Sequence, residues 1–336
     1  MGDSVLLDSW MPVTNSRDVT ADQPLGIALL DTPIVLWRSP DGTLHAARDQ
    51  CPHRGAALSL GQVRDDTLMC PYHGWVYDRG GQCVRQPASP GLTPPEKARL
   101  EMFGVCERYG VVFVSLGATP SAPPEYFPEW DEPGVRQYHD TPVVVHACGP
   151  RIVENFLDMA HFPFVHAGIL GAESHTEVRD YTVTAKEDGI EVTDCVFWQP
   201  SAAPGSTKGV DVAYRYRVPH PYVATLSKLP RGDAAGFSLM IMASPLDEEH
   251  CRTWMIGAFT DRDVSTEDFL DFNHRILLQD VPILDSQRPR PLPLDPSAEL
   301  AQKADRASYA YRRWLADLGL RYGTSPVREP MSEGAR

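Results

Sequence analysis

The sequence predicts an α+β protein in which a small antiparallel β-domain precedes a larger domain, itself an antiparallel sheet covered by helices. Three features support this fold class. The first third of the chain contains only short apolar or alternating runs, without a helical period. A segment rich in proline and small residues follows, and the remainder combines strand-like runs with stretches of helical period. We therefore expect a first domain at 1–117, a linker at 118–134 and a second domain at 135–336.

Composition limits the classes of partner and the compartment. The 336 residues are enough for two domains with sizeable cores, and the net charge of −14 disfavours nucleic acid and anionic membranes. No apolar run has the length of a membrane span, and the first ten residues do not resemble a secretory signal. The seven cysteines form no dense disulfide framework, which favours a reducing cytoplasm.

The first domain is predicted to consist of short strands joined by tight turns. The turn pair Asp41-Gly42 separates two of them, as expected for a hairpin. The predicted strands are Leu25–Leu30, Ile34–Arg38, Thr43–Arg48, Thr67–Cys70, Trp75–Tyr77 and Val111–Leu116.

Two loops of this domain match each other, with sequences CPHRG and CPYHGW. Each supplies one cysteine and one histidine: Cys51 with His53, and Cys70 with His73. Such a set of ligands fits a structural zinc site or a Rieske [2Fe–2S] cluster, in which two thiolates bind one iron and two imidazoles the other. Zinc fingers usually group their cysteines and their histidines separately. The mixed loops therefore favour the cluster.

The stretch 151–166, RIVENFLDMAHFPFVH, predicts a short helix followed by a turn. Asn155, Asp158 and His161 are spaced three residues apart, which would place them on one helical face.

Proline is expected to end that helix near Phe162, because the residue before Pro163 is displaced from helical geometry. The chain can then turn His166 back towards His161. Two imidazoles and a carboxylate can converge there to form a metal site, although two ordinary histidines in an aromatic core segment are the alternative.

Further strands and two late helices complete the second domain. The predicted strands are Thr141–Ala147, Val178–Ala185, Ile190–Trp198, Val210–Val218, Val223–Ser227, Phe237–Ala243 and Arg252–Phe259. Ser265 and Asp268 indicate a capping box at the start of a helix that should kink at Pro282, beside Asp280. A last helix is expected over Ala298–Leu318.

The motifs CPHRG, CPYHGW and NFLDMAHFPFVH together resemble the α-subunit of a Rieske non-haem iron oxygenase, in the expected order along the chain. The resemblance implies a [2Fe–2S] cluster on Cys51, His53, Cys70 and His73. It further implies a mononuclear Fe(II) ion on His161, His166 and Asp280. Asp271 and Asp285 stay open as alternative carboxylate ligands.

The resemblance also assigns roles beyond the ligands. Asp158 is expected to bridge His161 to His73 of a neighbouring protomer, and Asn155 to lie close to the iron without being a firm ligand. Such bridging implies a homotrimer of α-subunits joined head to tail.

The resemblance implies a terminal oxygenase that uses O₂ and a small, cyclic organic substrate. Electrons would come from NAD(P)H through a separate flavin and iron–sulfur reductase or a ferredoxin, since the chain has no dinucleotide fingerprint of its own. In length and motif style the chain is similar to vanillate and dicamba demethylases and to saxitoxin-pathway hydroxylases. This favours monooxygenation or O- or N-demethylation over cis-dihydroxylation of an aromatic ring.

Two functions from other classes compete with this prediction. A Rieske electron carrier would need the first domain alone, and a zinc-stabilised binding module would be colourless. Within the second domain, the candidates for substrate contact are Trp198, Met240, Met242 and His274, each of which would otherwise be a core residue.

Overall fold

The structure is a computed structural model that describes residues 3–118, 122–202, 206, 208–229 and 236–326. Contacts between Cα atoms divide the chain into two compact units. One comprises Met1–Pro124 with Ser244–Asp247, and the other comprises Glu125–Ala243 with Glu248–Arg336. The described residues include no helix that is both long and apolar enough to cross a membrane.

The first unit contains two antiparallel sheets. A four-residue helix, α1 (Ser4–Leu7), precedes them. The strands in this part are β1 (Met11–Asn15), β2 (Leu25–Leu29), β3 (Thr32–Arg38), β4 (Leu44–Arg48), β5 (Gln62–Arg64), β6 (Thr67–Met69), β7 (Val76–Tyr77), β8 (Cys83–Arg85), β9 (Met102–Arg108) and β10 (Val111–Ser115). One sheet has the order β1-β10-β9-β4-β3-β2, and the other has the order β5-β6-β7-β8.

The core between these strands contains both loop cysteines. Cys51 and Cys70 pack with Trp37, Leu68 and Tyr77, all of which are buried. The two buried cysteines therefore anchor their loops to the core of the domain.

The second unit is an antiparallel sheet with helices packed on it. Its strands are β11 (Arg136–His139), β12 (Val143–Val145), β13 (Thr182–Lys186), β14 (Gly189–Gln199), β15 (Val210–His220), β16 (Val223–Leu229), β17 (Phe237–Pro245), β18 (Cys251–Phe259), β19 (Leu292–Pro293) and β20 (Thr324–Ser325). The main sheet has the order β11-β18-β17-β16-β15-β14-β13, β12 also pairs with β18, and β19 and β20 form a separate parallel pair. The helices are α2 (Gly149–Leu157), α3 (Phe162–Val165), α4 (Thr266–Ser286) and α5 (Arg306–Asp317).

Helices α2, α4 and α5 contact strands of this sheet, so the predicted α+β class is confirmed. The N-cap predicted for α4 is present as well, since the Ser265 hydroxyl accepts a hydrogen bond from the Asp268 N–H at 3.0 Å. The Asp268 carboxylate accepts from the Ser265 hydroxyl at 2.6 Å, so the described contacts form an N-cap without the reciprocal bond of a capping box. The last helix is shorter than predicted, since α5 begins at Arg306 after a 3₁₀ turn at Lys303–Asp305.

The predicted helix over 151–162 is wrong at its end. It stops at Leu157, and Asp158 after it is extended, with ψ of 128°. His161 is the N-cap of a second helix, α3, in which Pro163 occupies the first turn. Proline is tolerated there because the first helical N–H groups lack intrahelical partners. Pro163 therefore belongs to the start of a new helix rather than ending the previous one, and the predicted common helical face does not form.

A buried ion-pair network joins α2 to α5. The Arg312 guanidinium contacts Glu154 at 2.8 Å and also pairs with Glu299, which in turn accepts from Arg151 at 2.8 Å. The side chains of Arg312 and Arg151 are both buried. Since unpaired buried charges are costly, this network holds α2 in a defined place relative to the sheet.

Strand β14 contains an irregularity in its pairing with β15. Val192 lies opposite Tyr216 and Cys195 opposite Tyr214, so β14 has one residue more than its partner over this interval. Asp194 within it has a φ of 61°. This is a β-bulge, and it reverses which residues of β14 point to each face.

Candidate metal centres

The two cysteine–histidine loops have the same backbone design. In each, the cysteine N–H donates at 2.8 Å to the carbonyl five residues later. Gly55 and Gly74, four residues after Cys51 and Cys70, donate back to the cysteine carbonyls at 2.8 and 3.1 Å. Both glycines have positive φ, 73° and 66°, a conformation that favours glycine.

In these loops the two thiols are buried in the domain, and the two imidazoles lie nearer its surface. Cys51 and Cys70 are each 2% exposed, whereas His73 is exposed and its ring lies 4.5 Å from that of His53. The His53 ring stacks on Trp75 at 4.4 Å. Its Nδ1 atom is buried without a hydrogen-bond partner among the described residues, as expected of an atom that binds metal. The structure therefore brings all four predicted ligands together, and they fit a Rieske cluster.

Tyr77 adds a contact that the sequence motif does not contain. Its hydroxyl lies 3.0 Å from the Cys51 sulfur in the core of the domain. Burial, more than the neighbouring thiols, raises the pKa of Tyr77, so the phenol keeps its proton and can donate a hydrogen bond to a thiolate.

In the second unit, the predicted triad converges. The Nε2 atoms of His161 and His166 lie 3.1 Å apart, and Oδ1 of Asp280 lies 3.5 and 3.2 Å from them. Donor atoms about 2.1 Å from a metal and at right angles to one another are about 3 Å apart. The three side chains thus fit one face of a metal ion and leave its opposite face open.

The outer nitrogens of both imidazoles are held by acceptors. Nδ1 of His161 lies 3.1 Å from the Asp158 carboxylate, and Nδ1 of His166 lies 2.9 Å from Oε1 of Gln279. Because these partners accept, the protons reside on Nδ1 and the Nε2 lone pairs point to the common centre. Sequence reasoning did not identify Gln279, which lies next to Asp280 in α4.

The other carboxylates considered for this centre lie elsewhere. Asp285 accepts a hydrogen bond from the His146 N–H at 2.8 Å, and Asp271 lines a different, polar cleft. The Asn155 amide, in contrast, is at 3.5 Å from Asp280 Oδ1 and lines the same cavity as the triad. Asn155 is thus close to the centre, where the sequence placed it.

The triad opens into a largely apolar cavity. Its aliphatic and aromatic lining comprises Phe156, Phe162, Leu170, Tyr214, Leu226, Phe237, Leu239, Ile241, Met255, Phe272, Ile276 and Leu277. An apolar lining with a few polar side chains at one end is typical of a site for a small organic molecule.

The four residues predicted to touch substrate are not among the described residues that line this cavity. Met240 and Met242 alternate with Leu239 and Ile241 on β17, so they point to the opposite face of the sheet. Trp198 stacks on His175, and His274 bonds to Asp140 at 2.7 Å.

Comparison with known proteins agrees with both centres. Residues 9–96 match the family described as the Rieske [2Fe-2S] domain, and residues 145–321 match the vanillate O-demethylase oxygenase C-terminal domain. The chain is 30% identical over 315 residues to the methylxanthine N1-demethylase NdmA of Pseudomonas putida, covering 92% of this chain and 88% of that protein. It is 34% identical over 206 residues to a vanillate O-demethylase oxygenase subunit from Pseudomonas, covering 59% and 54% of the two chains.

Solved structures show the same likeness. The structure of Pseudomonas putida NdmA with caffeine superposes with a TM-score of 0.82 at 28% identity, covering 93% of this chain and 90% of that one. The structure of NdmB superposes with a TM-score of 0.78 at 29% identity over the same shares.

Proposed function

Because the chain belongs to the Rieske non-haem iron oxygenases, with a catalytic domain of the vanillate O-demethylase type, we propose that it removes a methyl group from a small cyclic substrate. It would act as the terminal oxygenase of a multicomponent system. The observation that carries this proposal is the triad of His161, His166 and Asp280 at the wall of an apolar cavity. An electron carrier without oxygenase activity would have no use for that second centre.

The cofactors of this enzyme are a [2Fe–2S] cluster and a mononuclear iron, with O₂ as co-substrate and electrons supplied by a reductase. We propose that the cluster is held by Cys51, His53, Cys70 and His73, and the ferrous ion by the triad. When bound, the two centres supply electron transfer and O₂ activation.

The protein contributes orientation and exclusion of water. Asp158 and Gln279 fix both imidazoles through Nδ1, and Asn155 holds the Asp280 carboxylate from the side. The apolar lining positions a methyl group against the open side of the triad and keeps bulk water away from it.

The proposed reaction is a two-electron monooxygenation of a methyl group. One atom of O₂ enters a C–H bond of an O-methyl or N-methyl group, and the other leaves as water. NAD(P)H supplies the two electrons through a flavin and iron–sulfur reductase or a ferredoxin. The hydroxymethyl product then loses formaldehyde and leaves a free hydroxyl or N–H group on the ring.

Asp158 is proposed to link one protomer to the next in a homotrimer. Its carboxylate bonds to His161 but its side chain is 31% exposed, and His73 is exposed on the first unit. Each group can therefore accept a partner from a neighbouring protomer without unfolding, as a head-to-tail ring requires.

The experiment compares Asp280→Asn with Asp285→Asn in protein that carries its cluster. Formaldehyde release and iron content are measured with NADH, a reductase, and a panel of methoxybenzoates, methoxybenzamides and N-methylxanthines. Asp280→Asn is expected to keep the cluster absorbance, lose the ferrous ion and release no formaldehyde, whereas Asp285→Asn behaves as wild type. Turnover by Asp280→Asn, or a product that gains both atoms from labelled O₂, would contradict the proposal.

A further inference from the structure

One lysine interrupts the apolar wall of the catalytic cavity. Of the described residues that line it, Lys228 alone is a lysine or arginine. It lies near the end of β16, is partly buried, and shares the cavity with the triad. An ammonium group at such a position requires a compensating interaction, because burying a charge in apolar surroundings is costly.

The register of the sheet explains why Lys228 points inward. It lies opposite Tyr214 of β15 and opposite Phe237 of β17, and both of these side chains line the cavity. Residues directly opposite in an antiparallel sheet share a face, and Leu226, two residues earlier, lines the cavity as well. The lysine thus occupies a position where the pattern of the strand calls for an apolar residue.

The described surroundings of Lys228 solvate its charge but do not neutralise it. Its Nζ atom donates to Oε1 of Gln199 at 3.3 Å and to the carbonyl of Ala202 at 2.7 Å. It also lies 5.8 Å from the ring centroid of Tyr214 and 5.6 Å from that of Phe237. These oxygens and rings are neutral. An ammonium has three donors, so with respect to the described residues one N–H is left for another acceptor.

Gln199 forms hydrogen bonds both to the Lys228 ammonium and to the Tyr214 hydroxyl, a second potential donor. The amide is fully buried; its oxygen accepts from Lys228, and its nitrogen donates to the Tyr214 hydroxyl. The phenol oxygen is therefore used as an acceptor, and its own O–H can donate to a molecule in the cavity. Lys228 and Tyr214 together offer two donors, one of them charged, on one wall of an apolar space.

We propose that Lys228 and Tyr214, positioned by Gln199, bind a carboxylate of the substrate, so that this enzyme demethylates an anionic ring compound rather than a neutral one. The inference rests on the proposed demethylase function and names the class of molecule. A carboxylate neutralises the ammonium and accepts from both donors, and its charge-assisted bonds form where water is excluded. The methyl group that reacts lies at another position of the same ring.

The test measures binding without turnover, on enzyme that holds its cluster and iron, in the absence of O₂ and reductase. The probes are ortho-, meta- and para-methoxybenzoate, each paired with the neutral methoxybenzamide of the same shape. Calorimetry is expected to show that wild type binds at least one carboxylate roughly tenfold more tightly than its carboxamide. Lys228→Met and Tyr214→Phe reduce that ratio, and Gln199→Leu does so without weakening the carboxamide.

Lys186→Met is the matched control, because Lys186 lies on β13 of the same sheet and pairs with Glu191 outside the cavity. It should keep the preference for carboxylate. Equal affinity for both members of every pair, binding of no carboxylate, or a preference that survives Lys228→Met would overturn the proposal. The demethylase assignment is tested separately, by the release of formaldehyde.

A pH series provides a second readout that needs no substitution. Burial lowers the pKa of Lys228 to about 7, so the ammonium form is lost as the pH rises through that value. Affinity for the carboxylate should fall by roughly tenfold or more between about pH 6 and about pH 9, while that for the carboxamide stays constant. Lys228→Arg keeps its charge over this range, so its affinity for the carboxylate should vary much less than that of wild type. A wild-type affinity that varies no more than that of Lys228→Arg would contradict the assignment.

Other charged or titratable groups also face this region and set the background of that pH series. They are Glu129, Glu132 and Arg215, which share a neighbouring cleft with Lys228, and Tyr214, His161, His166 and Asp280, which share the cavity. The comparison with Lys228→Arg separates the contribution of Lys228 from that of these groups.

Discussion

Replacing Gln279 by leucine should weaken the ferrous site although Gln279 is not a ligand. Its side-chain oxygen accepts from Nδ1 of His166 at 2.9 Å, and His166 is 1% exposed. Without this acceptor the imidazole can move its proton to Nε2, the atom that faces Asp280 and the metal position. The ring would also lose the contact that fixes its orientation.

The size of the effect follows from the burial of His166. A buried donor left without an acceptor costs about 1–3 kcal/mol, because water cannot replace the lost bond. Loss of such an outer partner typically lowers metal affinity about 10- to 100-fold, which corresponds to about 1.4–2.8 kcal/mol. The two estimates agree, so we expect Gln279→Leu to bind Fe(II) about 10- to 100-fold more weakly than wild type.

The assay is an anaerobic competition between the protein and a colorimetric Fe(II) chelator. The absorbance of the [2Fe–2S] cluster reports that the first domain is intact in every sample. Gln279→Glu, which keeps an acceptor oxygen for His166, should retain most of the affinity. If Gln279→Leu held Fe(II) as tightly as wild type, the orientation of His166 would have to depend on something other than this hydrogen bond.

Three further substitutions test other parts of the structure. Tyr77→Phe removes the hydrogen bond to the Cys51 sulfur, which should stabilise the more negative, reduced form of the cluster. The reduction potential of the cluster should therefore fall by about 40 mV, the one-electron equivalent of about 1 kcal/mol. An unchanged potential in a redox titration would argue against this hydrogen bond. Arg312→Met removes the two-pronged partner of the buried Glu154, which keeps only a longer contact to Arg151 at 3.6 Å. It should cost about 3 kcal/mol, seen as a lower urea midpoint that the exposed neighbour Arg313→Met does not share. Gly74→Ala, at a φ of 66°, should reduce cluster content measured as iron and sulfide, while Gly91→Ala, where an added Cβ meets no neighbour, should leave it unchanged.

Most of the proposed metal ligands could be named from the sequence because their chemistry is expressed in residue type and local spacing. Cys51, His53, Cys70 and His73 lie in two short loops, and two of the three triad members lie within one stretch of the chain. Asp280 needed the family resemblance, since nothing local distinguishes it from Asp271 or Asp285; the structure separates the three by what each contacts.

The outer partner of His166 and the lining of the cavity depend on tertiary contacts and strand register, which local sequence spacing does not encode. Gln279 meets His166 across 113 residues of sequence. Strand alternation predicted two faces for β17 but not which of them lines the cavity, so Met240 and Met242 were placed on the wrong one. A proline can either end a helix or stand in the first turn of a new one, and local sequence does not distinguish these two roles. Pro163 stands in the first turn of α3.

The bulge in β14 has a consequence for how substrate range can change. The single additional residue near Asp194 brings Gln199, and not Trp198, to the face that carries Tyr214. Deleting the additional residue itself would leave Cys195 opposite Tyr214 and so keep Gln199 on this face. Deleting Val196, which lies between the bulge and Gln199, would instead bring the Trp198 indole to that face and withdraw the amide. The loss of one codon, at a position that contributes none of the proposed metal ligands, would thereby replace a polar side chain by an aromatic one beside Tyr214.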